Sequence, residues 1–167
     1  RRIHSRLQDV ELDHGVPATR DLDLGFVWAA FRWADGQTLD RVLAGIDADL
    51  VRLEGDPRAA LLSVVDTVDQ DVTRAGFRGC PFTNVSSEYD DPQHPARSAA
   101  ADYKFELHAR LERLAEQVAP GAGEDLAAEV HLIIDGMYLS GGLLGPDGPA
   151  AHGRELAERL VDIAVAG

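Results

Sequence analysis

Apolar side chains recur every three or four residues along most of the chain, which is the spacing of one helix face. One such stripe contains Leu61, Val65, Val68 and Val72. Asp56-Pro57 just before it supplies a capping side chain and a residue suited to the first helical position. The same criteria predict helices over about 36–53, 57–75, 94–118, 123–142 and 149–165. No stretch alternates as a strand does, so the sequence predicts an all-α protein.

The helix predicted over 123–142 is apolar on two sides. Its first stripe contains Leu126, Val130, Ile133, Ile134 and Met137, and its second contains Leu132, Gly136, Leu139 and Leu143. A helix that is apolar nearly all round is buried on more than one side. Together with the helix over 149–165 it carries more apolar surface than the core of one subunit uses. We therefore expect a homodimer formed through residues 123–165.

A segment between two predicted helices, Gly76-Phe77-Arg78-Gly79-Cys80-Pro81-Phe82-Thr83-Asn84, breaks the helical pattern. Two glycines and a proline oppose a continuous helix, whereas three apolar side chains favour burial. A buried irregular joint must find partners for its backbone polar groups, so it is typical of a functional region.

Charge is distributed unevenly along the chain. Its 167 residues carry 16 Lys and Arg against 29 Asp and Glu, a net charge of −13. This excess disfavours a general nucleic-acid binder, because phosphate contact needs basic surface. Residues 1–33, however, balance five Arg against five acids, so all the negative charge lies in the rest of the chain. An acidic body with a neutral N-terminal end is compatible with one end approaching DNA.

Cysteine content and hydropathy indicate the compartment. Cys80 is the only cysteine, which excludes a disulfide within the chain and favours a reducing compartment. No apolar run approaches the ~20 residues of a membrane span, and no signal peptide is visible. We therefore expect a cytoplasmic protein without a membrane partner.

No catalytic motif stands out: the sequence contains no Gly-x-Ser-x-Gly, phosphate loop or dinucleotide fingerprint. Cys80 could act as a nucleophile beside His94 or His108, but a lone cysteine between Gly and Pro is more often a small buried apolar group. His131 and Asp135 share a helix face, yet two ligands are too few for a closed metal site. The sequence therefore predicts no enzyme activity, no metal and no cofactor.

An apolar pocket between helices is the better candidate for a site. Its predicted lining contains Phe77, Cys80, Phe82, Tyr103, Leu107, Met137 and Tyr138, with Asn84 and His108 as polar groups. The alternative for each residue taken singly is that it fills the core. Their grouping beside the irregular joint favours the pocket.

The order Gly-Cys-Pro-Phe-x-Asn, a short acidic segment and His94-Pro95 at the start of a helix resembles one C-terminal type within the tetracycline-repressor (TetR) family of regulators. The resemblance continues to Asp135-Gly136. At the other end, residues 3–19 resemble the first helix and turn of a TetR-type DNA-binding domain. Residues 26–31 are similar to the recognition helix of that family.

The resemblance implies a TetR-like helical bundle with two domains. Residues 1–35 would form a small helix-turn-helix domain, incomplete here, and residues 36–167 a larger ligand-binding and dimerisation domain. It also implies a DNA-binding transcriptional regulator, a repressor that leaves operator DNA when a small hydrophobic effector occupies the pocket. The positions that match DNA-facing or phosphate-contacting residues of the family are Thr19, Arg20, Trp28 and Arg32.

The match to the DNA-binding domain is short. Seven steps separate Leu24 from Phe31, where a second helix, its turn and a third helix need about twice that number. Either the domain is shortened or residues are absent from the chain. A genuine deletion favours an alternative function, that of a TetR-like dimeric ligand-binding protein that no longer binds DNA.

Overall fold

Helices make up the regular structure in the computed structural model, which describes residues 55–89, Asp91 and residues 93–167, with Ala48, Arg52 and Leu53. The elements are α1 (Pro57–Thr73), α2 (Pro81–Glu88), α3 (Pro95–Val118), α4 (Gly123–Leu144), a 3₁₀ helix (Pro149–His152) and α5 (Gly153–Ala166). No strand occurs in these residues, and the all-α prediction is confirmed. The domain predicted over 1–35 and most of the helix predicted over 36–53 lie outside the described residues.

Helix α1 begins where the sequence predicts. The Asp56 carboxylate accepts a hydrogen bond from the Ala59 backbone N–H at 2.9 Å, and Pro57 lies in the first turn. Both features suit a helix N-terminus, where backbone N–H groups lack partners within the helix. The four residues of the predicted stripe are all buried, and Leu62 and Val64 are buried on a second side.

The described residues fall into two compact units. One includes Pro81–Glu106, which contains α2 and the first half of α3. The other includes the described residues up to Cys80 and Leu107–Gly167. In this second unit α1, α4 and α5 pack against one another, and the 3₁₀ helix packs against all three. Its largest fully buried side chains are Leu61, Val65, Leu111, Leu114, Leu126, Val130, Ile134 and Val161.

Helix α4 is apolar on two sides, but only one side is buried within the subunit. The stripe from Leu126 to Met137 is buried at every position. In contrast, Leu132, Leu139 and Leu143 keep 73%, 59% and 75% of their surface exposed. No helix of the described part covers the second stripe, so its burial in a homodimer stays a prediction.

The joint after α1 is irregular only as far as Cys80. Gly76 and Gly79 adopt φ angles of +79° and +85°, which residues with a Cβ rarely adopt. From Pro81 onward the chain is helical, so the prediction of irregular backbone through Asn84 is wrong. Proline suits the first position of a helix because its missing N–H would have no partner there in any case.

Close contact between α1 and α4 depends on Gly141. A Cβ at this position would overlap Cγ1 of Val72, a buried, branched side chain with little freedom to move. We expect Gly141→Ala to lower the free energy of unfolding by about 1–3 kcal/mol, measured by urea denaturation. Gly153→Ala is the comparison, because its Cβ meets Met137, whose unbranched side chain moves more easily. Equal losses in the two variants would contradict this account.

Candidate functional site

Two aromatic rings stack between α2 and α3 in the first unit. The ring centroids of Phe82 and Tyr103 lie 3.8 Å apart, with 15° between the ring planes. Both are predicted site residues, and both are buried. Asn84 is half-buried on α2. The first unit thus supplies two of the predicted aromatic groups and one of the two predicted polar groups.

A second aromatic pair holds the joint against α4 in the other unit. The Phe77 and Tyr138 ring centroids lie 5.8 Å apart, and the Tyr138 hydroxyl donates a hydrogen bond to Asp71 Oδ2 at 3.0 Å. The backbones also approach closely, because a Cβ on Gly142 would lie 3.1 Å from the Gly79 nitrogen. Phe77 and Tyr138 therefore position the joint, which is a role that the sequence did not predict for them.

The other predicted apolar residues of the second unit lie in its core. Cys80, Leu107 and Met137 are buried, and the Cys80 thiol forms no disulfide. This burial agrees with the alternative that each residue fills the core. A residue that lines an enclosed pocket is buried as well, so burial fits both interpretations.

His108, the polar group predicted for the second unit, has a partner on the next helix. His108 on α3 and His131 on α4 place their Nδ1 atoms 3.2 Å apart, and both side chains are partly buried. Which of the two rings donates depends on their tautomers. The sequence predicted a site role for His108 but gave no sign of this contact, which joins residues 23 positions apart.

The structure divides the nine predicted pocket residues between the two units. The first unit contains Phe82, Asn84 and Tyr103, and the second contains Phe77, Cys80, Leu107, His108, Met137 and Tyr138. Each unit brings one aromatic pair together. The prediction that all nine residues line a single cavity stays a prediction.

Three further predictions concern DNA, metal ions and membranes. The predicted DNA-contacting residues Thr19, Arg20, Trp28 and Arg32 lie outside the described residues. Within the part that is described, no three or more His, Cys, Asp or Glu side chains are grouped so as to hold a metal ion. None of the helices in that part of the chain combines the length and the apolar character needed to cross a membrane.

Charged side chains join α5 to α1. Arg154 donates a hydrogen bond to Asp66, and its Nη1 atom lies 2.7 Å from Glu158 Oε1 on its own helix. Arg58 donates to Asp162 at 2.7 Å across the same two helices. Burial lowers the pKa of the Arg154 guanidinium, but the bond to Asp66 and the two carboxylate charges outweigh burial and raise that pKa above its ordinary value. The Arg154 guanidinium therefore stays charged at every working pH.

Exposed apolar side chains are concentrated on the last two helices. They are Leu132, Leu139, Leu143 and Leu144 on α4, and Leu156, Ile163 and Val165 on α5. In the described residues the one other large apolar side chain with high exposure is Phe105 on α3. Leu132, Leu139 and Leu143 recur at helical spacing and form what we call the apolar face of α4.

Comparison with solved structures shows the fold. A TetR-family transcriptional regulator from Streptomyces coelicolor matches 77% of this chain and 69% of its own chain, with a TM-score of 0.66 and 24% sequence identity. No protein-family model matches the sequence, and no curated protein matches it either. The chain has a TetR-family fold, so the predicted TetR-like bundle is confirmed. The finer resemblance to one C-terminal type stays a prediction.

Proposed function

We propose that this chain, with its TetR-family fold, is a DNA-binding transcriptional regulator: a homodimeric repressor that a small hydrophobic effector releases from operator DNA. The observation that carries the proposal is the fold shared with a TetR-family transcriptional regulator over 77% of the chain. Because one fold hosts more than one function, the proposal also rests on the charge, surface and core of this protein.

DNA contact is assigned to residues 1–35. Residues 1–33 have no net charge, while the rest of the chain carries −13, so phosphate repels this end least. The proposed contacts are Thr19, Arg20, Trp28 and Arg32. The two arginines would bind phosphate oxygens, which fixes orientation on DNA without selecting a sequence.

Dimerisation is assigned to α4 and α5. Of the eight large apolar side chains that are exposed in the described residues, seven lie on these two helices. Such a concentration of exposed apolar groups is typical of an interaction surface. A second copy of the chain suits it, because a two-fold axis brings the same surface of both copies together. Two helices from each copy would then form a four-helix interface.

Effector binding is assigned to the nine predicted pocket residues. Two aromatic pairs, Phe82 with Tyr103 and Phe77 with Tyr138, support this assignment. The proposed lining is aromatic and aliphatic, with Asn84 as one polar group, so the effector is expected to be small and largely apolar. The amide of Asn84 and the imidazole of His108 are the polar groups proposed to fix the orientation of the bound molecule.

A dimeric ligand-binding protein without DNA affinity is the second candidate. The observation that favours it is the short segment from Leu24 to Phe31, which has too few residues for a complete helix-turn-helix. This candidate keeps the dimer and the effector site and omits only the DNA contacts. The two functions therefore differ in one measurable property.

The deciding experiment measures DNA binding by the authentic full-length protein without effector. We expect it to bind DNA from its own promoter region, and we expect affinity to fall by roughly 10³-fold or more when salt is raised about fourfold, because phosphate contacts release counterions. Removal of residues 1–33 should abolish binding while the remaining helices stay folded, as checked by circular dichroism. Binding that survived the deletion would contradict the assignment of DNA contact, and no binding by the intact protein would favour the ligand-binding alternative.

A further inference from the structure

One glycine of α4 has no explanation within a single subunit. Helices α4 and α5 contain five glycines, and at four of them a Cβ would crowd another part of the chain: Gly123, Gly141, Gly142 and Gly153. At Gly136, in contrast, a Cβ would meet no atom of the described residues within 4 Å. The backbone there is that of an ordinary α-helix without a positive φ angle, so it does not require glycine either.

Gly136 weakens the helix in which it lies. A glycine inside a helix loses more conformational freedom on folding than any other residue, and compared with alanine it raises the unfolding equilibrium constant about two- to fivefold. The residue is exposed in the single subunit, and the methyl group of an alanine would have open space there. Within the described part of the chain, therefore, no close approach to Gly136 offsets this loss of stability.

The position of Gly136 on the helix indicates where such an approach occurs. Gly136 lies four residues after Leu132 and three before Leu139, so it shares a side of the helix with the apolar face of α4. Both leucines keep more than half of their surface exposed. The glycine therefore forms a shallow point between large apolar side chains, at which the backbone of α4 is accessible to another helix.

The charge of α4 favours a second copy of the chain as that other helix. Residues 136–144 carry no charge, and the acidic residues of the helix all lie before them: Glu124, Asp125, Glu129 and Asp135. At a two-fold axis each side chain meets its own counterpart, so a charge near the axis would face a like charge. An axis beside Gly136 avoids this repulsion, because helices that cross there separate toward their acidic ends.

The exposed apolar area of α4 and α5 is sufficient for a dimer. Their seven exposed side chains keep between 40% and 75% of their surface in water. At roughly 100 Å² of apolar surface for each fully exposed side chain, they present on the order of 400 Å² per copy. A standard interface buries about 800 Å² per partner, of which a little over half is apolar. The two areas agree, so this surface suits one complete interface.

We propose that Gly136 is the point of closest approach between α4 and the same helix of a second copy. The proposal rests on the homodimer of the proposed function and adds the residue at which the two copies cross. Without a Cβ on either side, the helix axes approach to the short end of the usual range of about 8–10 Å. Leu132 and Leu139 then pack around the crossing, and a side chain at position 136 would hold the copies apart.

Gly136→Ala is expected to change two measured quantities in opposite directions. In the Leu132→Glu background, which is expected to be monomeric, it should lower the unfolding equilibrium constant about two- to fivefold, measured by urea denaturation. In the parent background it should raise the dissociation constant of the dimer roughly 10- to 100-fold, measured by sedimentation equilibrium, because two added methyl groups meet at the crossing. A variant that stabilises the monomer and leaves the dimer unchanged or tighter would overturn the proposal.

Gly136→Leu separates close approach from apolar area. Close approach predicts a dimer weaker than that of Gly136→Ala, whereas a surface that associates through its area alone would associate more tightly with one more leucine. Ala101→Leu is the control, because it adds a leucine at an exposed position of α3 and should leave the dimer unchanged.

The outcomes distinguish this proposal from the dimer on which it rests. A dimer that dissociates in Leu132→Glu but persists in Gly136→Leu keeps the interface and overturns only the crossing at Gly136. A parent protein that stays monomeric at every concentration would contradict the homodimer itself and would assign the apolar face to a different partner. Circular dichroism of each variant verifies that its helices remain folded.

Discussion

Leu132→Glu is expected to turn the proposed dimer into a monomer. The Leu132 side chain is 73% exposed in the single subunit, so a glutamate there remains in water and leaves the fold intact. In the dimer the same position would be covered, and two-fold symmetry would bury two carboxylates in an apolar interface. At about 3 kcal/mol for each copy, the dissociation constant would rise roughly 10⁴-fold. Sedimentation equilibrium measures this change directly.

Phe105→Glu is the matched control for this experiment. Phe105 has the same 73% exposure as Leu132, but it lies on α3 and belongs to neither α4 nor α5. The introduced charge is the same, so any general effect of charge on association appears in both variants. A dimer that persists in Leu132→Glu, or that dissociates equally in Phe105→Glu, would contradict the assignment of the interface.

Helix positions followed from the sequence because the side of a helix that faces the core repeats about every 3.6 residues. The stripe through Leu61 and Val65 predicted a helix over 57–75, and α1 covers Pro57–Thr73. For α4 the predicted range of 123–142 extends to Leu144 in the structure. Its end is set by Gly145, whose φ of +82° lies in the left-handed region, and periodicity carries no information on such a residue.

Helix α2 escaped prediction because it is short. Eight residues offer only Phe82 and Val85 as a buried pair at helical spacing, which is too few to define a stripe. Pro81 added to the error, since proline interrupts a helix from within but suits its first position. The sequence alone did not distinguish these two roles.

Contacts between helices were the part of the candidate site that the sequence left open. Tyr138 and His108 were both identified as site candidates, but their partners Asp71 and His131 lie 67 and 23 positions away. Helical periodicity shows which side of a helix is buried, and it carries no information on which helix covers that side. Partners of this kind therefore become visible only when the helices are packed.

Replacing either ring of the Phe82–Tyr103 stack is expected to weaken effector binding strongly. Phe82→Leu and Tyr103→Leu each replace a buried ring by a smaller apolar side chain and remove the stacked surface between α2 and α3. If each ring contributes about 1.5–3 kcal/mol of apolar burial to effector binding, affinity should fall roughly 10- to 100-fold. DNA binding without effector should persist, because the proposed DNA contacts lie in residues 1–35.

The matched control for this pair of variants is Val85→Ala. Val85 is buried on the same short helix, three residues after Phe82, and is not one of the proposed pocket residues. The Val85→Ala variant also loses core volume, but its aromatic stack is unaltered. Thermal unfolding of all three variants measures the loss of stability that they share. The probe is the small molecule that the protein retains when purified from its own host, identified by mass spectrometry. Leucine variants that bind this molecule and release DNA as the parent does would place the pocket elsewhere, and an equal defect in Val85→Ala would attribute the effect to the stability of α2 instead.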